Sequence, residues 1–267
     1  MRKTIQNQFL SIALLQLVIS KNCLAQASDK DAKDERIDGR FLLDLGITSS
    51  NTAEGTADLF TPGFTWLLSR DLRAGMSTTH MQFDHKPGLG LEDSSTSRGL
   101  GDSMFFVQYD WGERLTASPW IPDDAGMNFT LLVPTGNAEK FFSNDTWGVG
   151  MSISWPIVTK SGWLLNPVVR YNYSFKGGPL AEEVNALDMG LGIVKIFPSK
   201  FWIGYTPILW YDFEEDQFNF DDHYTLGKMF SNGMGVGLDY GVVARESRLL
   251  SKYDNNLLLN FYYQFGK

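Results

Sequence analysis

Trp147-Gly148-Val149-Gly150-Met151-Ser152-Ile153-Ser154-Trp155 is the stretch that decides the fold. Its odd positions are Trp, Val, Met, Ile and Trp, and its even positions are glycine or serine. A period of two over nine residues belongs to a β-strand, whose successive side chains point to opposite faces. The apolar face carries tryptophan at both ends and aliphatic residues between them. A soluble sandwich would fill that face with Val, Ile and Leu for a core about 10 Å thick. Aromatic residues at both ends instead suit a strand that faces lipid, because an amphipathic ring is most stable at headgroup level.

The same alternation recurs in both directions along the chain. Phe105, Val107, Tyr109 and Trp111 stand against Asp102, Gln108 and Asp110, and Trp163 to Tyr173 alternates with Asn166, Arg170, Asn172 and Ser174. Leu187 to Ile193 alternates with Asp188, Gly190 and Gly192, and Met234 to Tyr240 with Gly235, Gly237, Asp239 and Gly241. Strands are expected at 40–48, 59–69, 72–83, 101–111, 126–134, 147–156, 162–175, 185–197, 200–213, 222–230, 234–244 and 255–265, twelve in all. Short connections (69–71, 158–162, 198–200 and Asn232-Gly233) alternate with long ones (49–58, 84–100, 135–146, 176–184, 214–221 and 245–254). That asymmetry is expected of tight periplasmic turns and longer external loops. The connection 112–126 is too long for its place in this scheme. The expected fold is all-β, a single closed antiparallel transmembrane barrel, because an open edge in hydrocarbon leaves backbone groups unpaired at a cost of roughly several kcal/mol each.

The N-terminus fits export to the bacterial outer membrane. Arg2 and Lys3, an apolar stretch from Phe9 to Ser20, and Ala25-Gln26-Ala27 form the layout of a signal peptide over residues 1–27. The apolar stretch is shorter than the roughly 20 residues of a spanning helix. A lipoprotein signal at Cys23 is disfavoured by the preceding Ser20-Lys21-Asn22. Residues 28–39 read as a charged flexible segment, or else as a small plug folded into the lumen, and 40–267 as the barrel. Loss of the leader removes the only cysteine together with Arg2, Lys3 and Lys21, so the formal charge moves from −8 to −11. So acidic a chain is a poor nucleic-acid partner. The expected partners are outer-membrane lipid and lipopolysaccharide, a small-molecule solute, and the barrel-assembly machinery. The last would read the final strand, Leu257, Leu259, Phe261, Tyr263 and Phe265, although Gly266 and Lys267 follow its terminal aromatic. No cofactor or resident metal is expected.

The inward-facing candidates are Asp44, Arg73, Asp102, Asp110, Arg170, Asp188, Trp202, Trp210, Asp212 and Asp239. Charges of both signs inside a barrel can line a solute path and set its selectivity; they can equally pair across the lumen and stiffen it. Twelve strands lie between filled eight-stranded barrels and open sixteen-stranded porins, so a narrow, partly obstructed pore is expected. Inward glycines at 148, 150, 190, 192, 235 and 237 would leave space or let the strands bend.

Two other functions have partial support in the sequence. A lipid hydrolase needs a serine beside a histidine. His80, His85 and His223 all fall near the external rim, Ser77 lies on the opposite face from His80, and Ser231 lies at the far end of the strand that His223 opens. An interaction barrel would act through an acidic loop of Glu214, Glu215, Asp216, Asp221 and Asp222 around Phe218 and Phe220, which does not match an EF-hand spacing.

Two short motifs add a resemblance. Gly99-Leu100-Gly101-Asp102 leading into Phe105–Tyr109, and Leu132-Val133-Pro134-Thr135-Gly136, resemble the outer-membrane transporter-like family named for the MetA-pathway of phenol degradation. Trp163–Tyr173, with Asn166-Pro167 and Arg170-Tyr171, fits a later strand of that family. The resemblance implies a barrel that passes small organic solutes, hydrophobic or aromatic ones included, and implies no enzyme of phenol breakdown. Its motif residues here are Gly99, Gly101, Asp102, Pro134, Thr135 and Gly136.

Overall fold

A computed structural model describes residues 40–51, 55–69, 71–85, 96–111, 125–136, 145–159, 161–178, 183–214, 216–230, 234–243 and 255–265. The expected signal peptide, the charged segment 28–39 and most of the long connections lie outside these residues. The strands are β1 (Arg40–Asn51), β2 (Gly55–Leu67), β3 (Leu72–His85), β4 (Thr96–Asp110), β5 (Gly126–Val133), β6 (Thr146–Ser154), β7 (Ile157–Val158), β8 (Trp163–Gly177), β9 (Asn185–Ile196), β10 (Phe201–Asp212), β11 (Gln217–Met229), β12 (Met234–Val243) and β13 (Asn255–Phe265). Apart from β6 and β7, consecutive strands pair antiparallel. β1 also pairs β13 from Phe41↔Phe265 to Asn51↔Asn255, so the two ends of the chain close the sheet. Both β6 and the two-residue β7 pair β8, making β7 the continuation of β6 beyond a break at Trp155-Pro156. The result is a closed barrel of twelve staves. The break has a plain cause: proline has no N–H to give the ladder. Trp155 N–H, just before it, donates to Pro167 O and holds the strand in place.

The strand bounds agree with the sequence pattern at most ends and depart at the loop end. β2, β4 and β11 begin four to five residues earlier than the alternation suggested, at Gly55, Thr96 and Gln217. The expected loop 214–221 is therefore mostly strand. Asp221 is buried on the inward face of β11, and Asp222 stands on the outward face, where it accepts a hydrogen bond from Tyr205 Oη at 2.5 Å. Phe218 and Phe220 supply the outward bulk that builds this strand, a pattern masked by the neighbouring acids. The long connection 112–124 is closed at its base by Trp111 N–H donating to Ala125 O.

The barrel is apolar outside. Val149, Met151 and Ile153 are 44, 46 and 43 % exposed, whereas Ser152 between them is 5 % exposed. Aromatic contacts concentrate at both rims. Phe41 lies against Phe64 and Trp66 at the short-turn end, with Lys195 over the Trp163 ring. At the loop end Phe213 meets Tyr171 and Tyr211, and Tyr211 meets Phe218. Replacing Met151, midway along the outward face of its stave, by arginine should destabilise the membrane-inserted barrel by about 2–4 kcal/mol, read as the urea midpoint for refolding into lipid vesicles. An unchanged midpoint would mean that this face does not meet hydrocarbon.

Candidate functional site: the lumen

The pairing registers place eight inward side chains in one continuous row across the sheet: Arg73, Gln108, Asn128, Ser152, Arg170, Asp188, Trp210 and Asn219, each the direct partner of the next. All eight are buried. The row starts one residue after a short turn, on β3, and ends two residues inside the loop end, on β11. Strands in a closed barrel tilt, so a row that runs along the hydrogen bonds climbs from one mouth toward the other.

The row is cross-braced by ionic hydrogen bonds. Arg73 Nη2 donates to Asp110 Oδ2 at 2.8 Å, and Gln108 Nε2 to the other Asp110 oxygen at 2.9 Å. Arg170 pairs with Asp188 through Nε (2.6 Å) and Nη2, and Asn172 donates to the same carboxylate oxygen at 3.2 Å. Trp210 Nε1 donates to Asp221 Oδ2 at 3.1 Å, and His223 Nδ1 lies 3.0 Å from Asp239 Oδ1.

Midway along this row is a cavity of about 50 Å³, walled by Gln108, Met127, Asn128, Ser152, Ser154, Asn166, Val168, Arg170, Asp188, Gly190, Gly192, Thr206 and Ile208. That is room for about four waters. Several polar atoms of the wall have no hydrogen-bond partner among the described residues: Gln108 Oε1, Asn128 Oδ1, both amide atoms of Asn166, Asp188 Oδ1 and Thr206 Oγ1. A buried polar atom left unpaired costs roughly 1–3 kcal/mol, so such a wall is built to be hydrated or to hold a polar guest. The Gln108 orientation is fixed by chemistry. Its amide nitrogen must point at the acceptor-only carboxylate of Asp110, which turns Oε1 into the cavity. A second, smaller space of about 30 Å³ lies toward the loop end between β5, β6 and β8, beside Gly148, Gly150 and Asn172.

Two other parts of the inward face are packed with apolar side chains. Leu164, Val194, Ile196, Trp202 and Met229 pack together at the short-turn end of β8–β11, and Ala57, Leu59, Met81 and Phe83 at the loop end of β2–β3. The inward glycines leave space on one wall, as expected, and on another admit the close approach of a bulky side chain. A Cβ at Gly190 or Gly148 would meet nothing nearer than 3.6 or 3.5 Å, whereas at Gly227 it would lie 2.2 Å from the Trp202 ring and at Gly235 2.3 Å from Met229 Sδ.

The two motifs behind the family resemblance meet in space. Thr78 pairs with Ser103 and His80 with Leu100, so Thr79 alone faces Gly101 and Asp102, a β-bulge that turns both inward. Thr135 Oγ1 donates to Gly101 O at 3.0 Å and lies 2.9 Å from Ser103 Oγ, and Gly136 N–H donates to Asp102 Oδ1 at 3.2 Å. Pro134 ends β5 by withholding a donor just before this clasp. Gly99 pairs with Met81 beyond the bulge.

Asp44, Arg73, Asp102, Asp110, Arg170, Asp188, Trp202, Trp210, Asp212 and Asp239 all lie on the inward face, but not in one site. Arg170 and Asp188 line the cavity; Arg73 and Asp110 brace Gln108 behind it. Trp202 belongs to the apolar packing, and Asp102 and Asp212 accept backbone N–H groups of Gly136 and Glu214 at the loop end. The cavity residues that charge alone did not flag are the neutral ones: Gln108, Asn128, Asn166 and Thr206. Their signal was their parity with neighbouring acids and arginines. His223 is a correction: β11 starts early, so this histidine sits mid-strand inside the lumen with Asp239, away from the rim. His80 is exposed on the outward face and Ser77 falls on the other face of β3; His85 closes that strand, its side chain outside those described. Among the described residues neither His80 nor His223 bonds a serine.

No family model and no curated protein matches the chain. Solved structures do. The COG4313 outer membrane channel from Pseudomonas putida F1 superposes with a TM-score of 0.64 at 11 % identity, over 89 % of this chain and 100 % of that one. The KdgM porin gives 0.51 at 11 % identity over 84 % and 99 %, and 0.53 at 9 % in its complex with disordered oligogalacturonate. This is an outer-membrane barrel. At such identities the likeness extends to the fold and no further.

The glycine contacts give a paired test. Gly227→Ala should lower the unfolding midpoint of the detergent-solubilised barrel by an overpacking cost of roughly 1–3 kcal/mol, while Gly148→Ala leaves it within about 0.5 kcal/mol. Thermal loss of the compact band on unboiled gels reads both.

Proposed function

We propose that the protein is a passive outer-membrane channel for small organic solutes. The observation that carries this reading is the cavity of unpaired polar atoms set on a polar row that climbs the lumen between its two mouths. A barrel meant only as a surface platform would gain by filling this space with apolar side chains, because each buried polar atom here needs a water or a guest to offset its desolvation. The same wall offers Val168 and Ile208 beside the amides, so it suits a solute with both a polar group and a carbon body. The apolar clusters at diagonally opposite ends of the lumen extend that amphiphilic lining. The resemblance in the Gly-Leu-Gly-Asp and Pro-Thr-Gly motifs points the same way, and the final strand suits delivery by barrel-assembly machinery.

Proteoliposomes should swell at rates that fall with solute size across a panel of small polyols, amines, organic acids and aromatics. Gly190→Leu, whose side chain would enter the cavity, should slow swelling several-fold while the barrel stays compact on unboiled gels. No swelling with any solute for the unaltered protein would reject the channel.

A further inference from the structure

The lumen has an uneven charge ledger. Among the described residues its inward face carries seven carboxylates and two guanidiniums. Both guanidiniums are committed, Arg73 to Asp110 and Arg170 to Asp188. Asp44, Asp221 and Asp239 face the interior with no arginine or lysine partner among the described residues. Asp221 is held by the Trp210 indole N–H and Asp239 by His223, and the second Asp239 oxygen is buried without a hydrogen bond.

The cavity supplies an independent observation. Gln108 and Asp188 are each more than nine-tenths buried, and each has one half of its side chain fully committed. Gln108 spends its amide nitrogen on Asp110, and Asp188 spends Oδ2 on Arg170 and Asn172. What each presents to the cavity is therefore an acceptor: Gln108 Oε1 and Asp188 Oδ1. An acceptor pair in a negatively biased, low-dielectric passage calls for a donor that carries positive charge.

We propose that the channel is cation-selective and that this cavity takes a small organic ammonium. Its N–H groups donate to Gln108 Oε1 and Asp188 Oδ1, and its carbon body lies against Val168 and Ile208. The inference rests on the channel reading and adds a sign and a ligand class to it. A solute carboxylate would find only neutral donors, Asn166 Nδ2 and Thr206 Oγ1, and would meet the excess carboxylates as well, whereas a neutral alcohol could use the acceptors but gain nothing from the field.

The test is a planar-bilayer recording of the full mature protein at low ionic strength, where surface charge is least screened. Reversal potentials are read first in a KCl gradient, then for ethanolammonium chloride and potassium glycolate against KCl, with ethylene glycol followed by vesicle swelling as the neutral match. The expected result is K⁺ several-fold more permeant than Cl⁻, and ethanolammonium several-fold more permeant than glycolate. The double variant Asp44→Asn with Asp221→Asn, which keeps the side-chain shapes and an acceptor for Trp210, should reduce the K⁺ preference toward parity without loss of conductance. Conductance with equal or anionic preference, or a preference unmoved in a folded double variant, overturns the cation proposal and leaves the channel standing. Absence of both conductance and swelling overturns the two together.

Discussion

Hydrocarbon offers a backbone no hydrogen-bond partner, and the rest of the structure depends on that constraint. The chain meets it by pairing β1 with β13 and β6 with β8, so that the sheet has no free edge. Once the sheet is closed, the period-two alternation has only two destinations, lipid and lumen. Val149, Met151 and Ile153 go to the first and Ser152 to the second. The inside of the barrel is then where the chain must place its polar groups, and a lumen of twelve staves is narrow enough for opposite walls to constrain one another.

How that narrow space is divided follows from a few bulky residues. Trp202 lies over Gly227, and Met229 over Gly235, which closes one quadrant at the short-turn end. Across the β5–β9 wall the residues are amides, serines and glycines, and the space stays open. The Arg73–Asp110 and Arg170–Asp188 pairs orient this open part: Asp110 takes the Gln108 amide nitrogen and Arg170 takes Asp188 Oδ2, which leaves Gln108 Oε1 and Asp188 Oδ1 turned inward. Buried ion pairs of this kind add little net stability because of their desolvation cost. Their effect here is directional.

Much of the fold was legible because one physical signal, alternation, suffices for strands that separate two solvents. Twelve staves, the short turns and the inward position of residues such as Asp44, Arg170 and Asp239 follow from it. The signal failed where charges sat on strand ends. Asp221 and Asp222 made the beginning of β11 look like a loop, which displaced His223 toward a rim it does not occupy. Local polarity was overridden there by pairing with β10, where Trp210 and Tyr205 each give an acid a donor. The cavity was legible only in part. Alternation put Arg170 and Asp188 inside, but which inward residues stand abreast depends on register, set by long-range pairing and by the bulge at Gly101-Asp102. The clasp between that bulge and Thr135-Gly136 explains why two short motifs 34 residues apart read as a pair.

The climbing polar row also has a handedness. Because it passes from stave to stave as it rises, a molecule exchanging hydrogen bonds along Gln108, Asn128, Arg170 and Asp188 must turn about the barrel axis as it advances. In the channel proposed above, transit would resemble the motion of a nut on a thread, with a compact body free to revolve and a long rigid rod caught by the opposite wall. The lumen would thus sort its cargo by shape as well as by chemistry, a consequence of strand tilt alone.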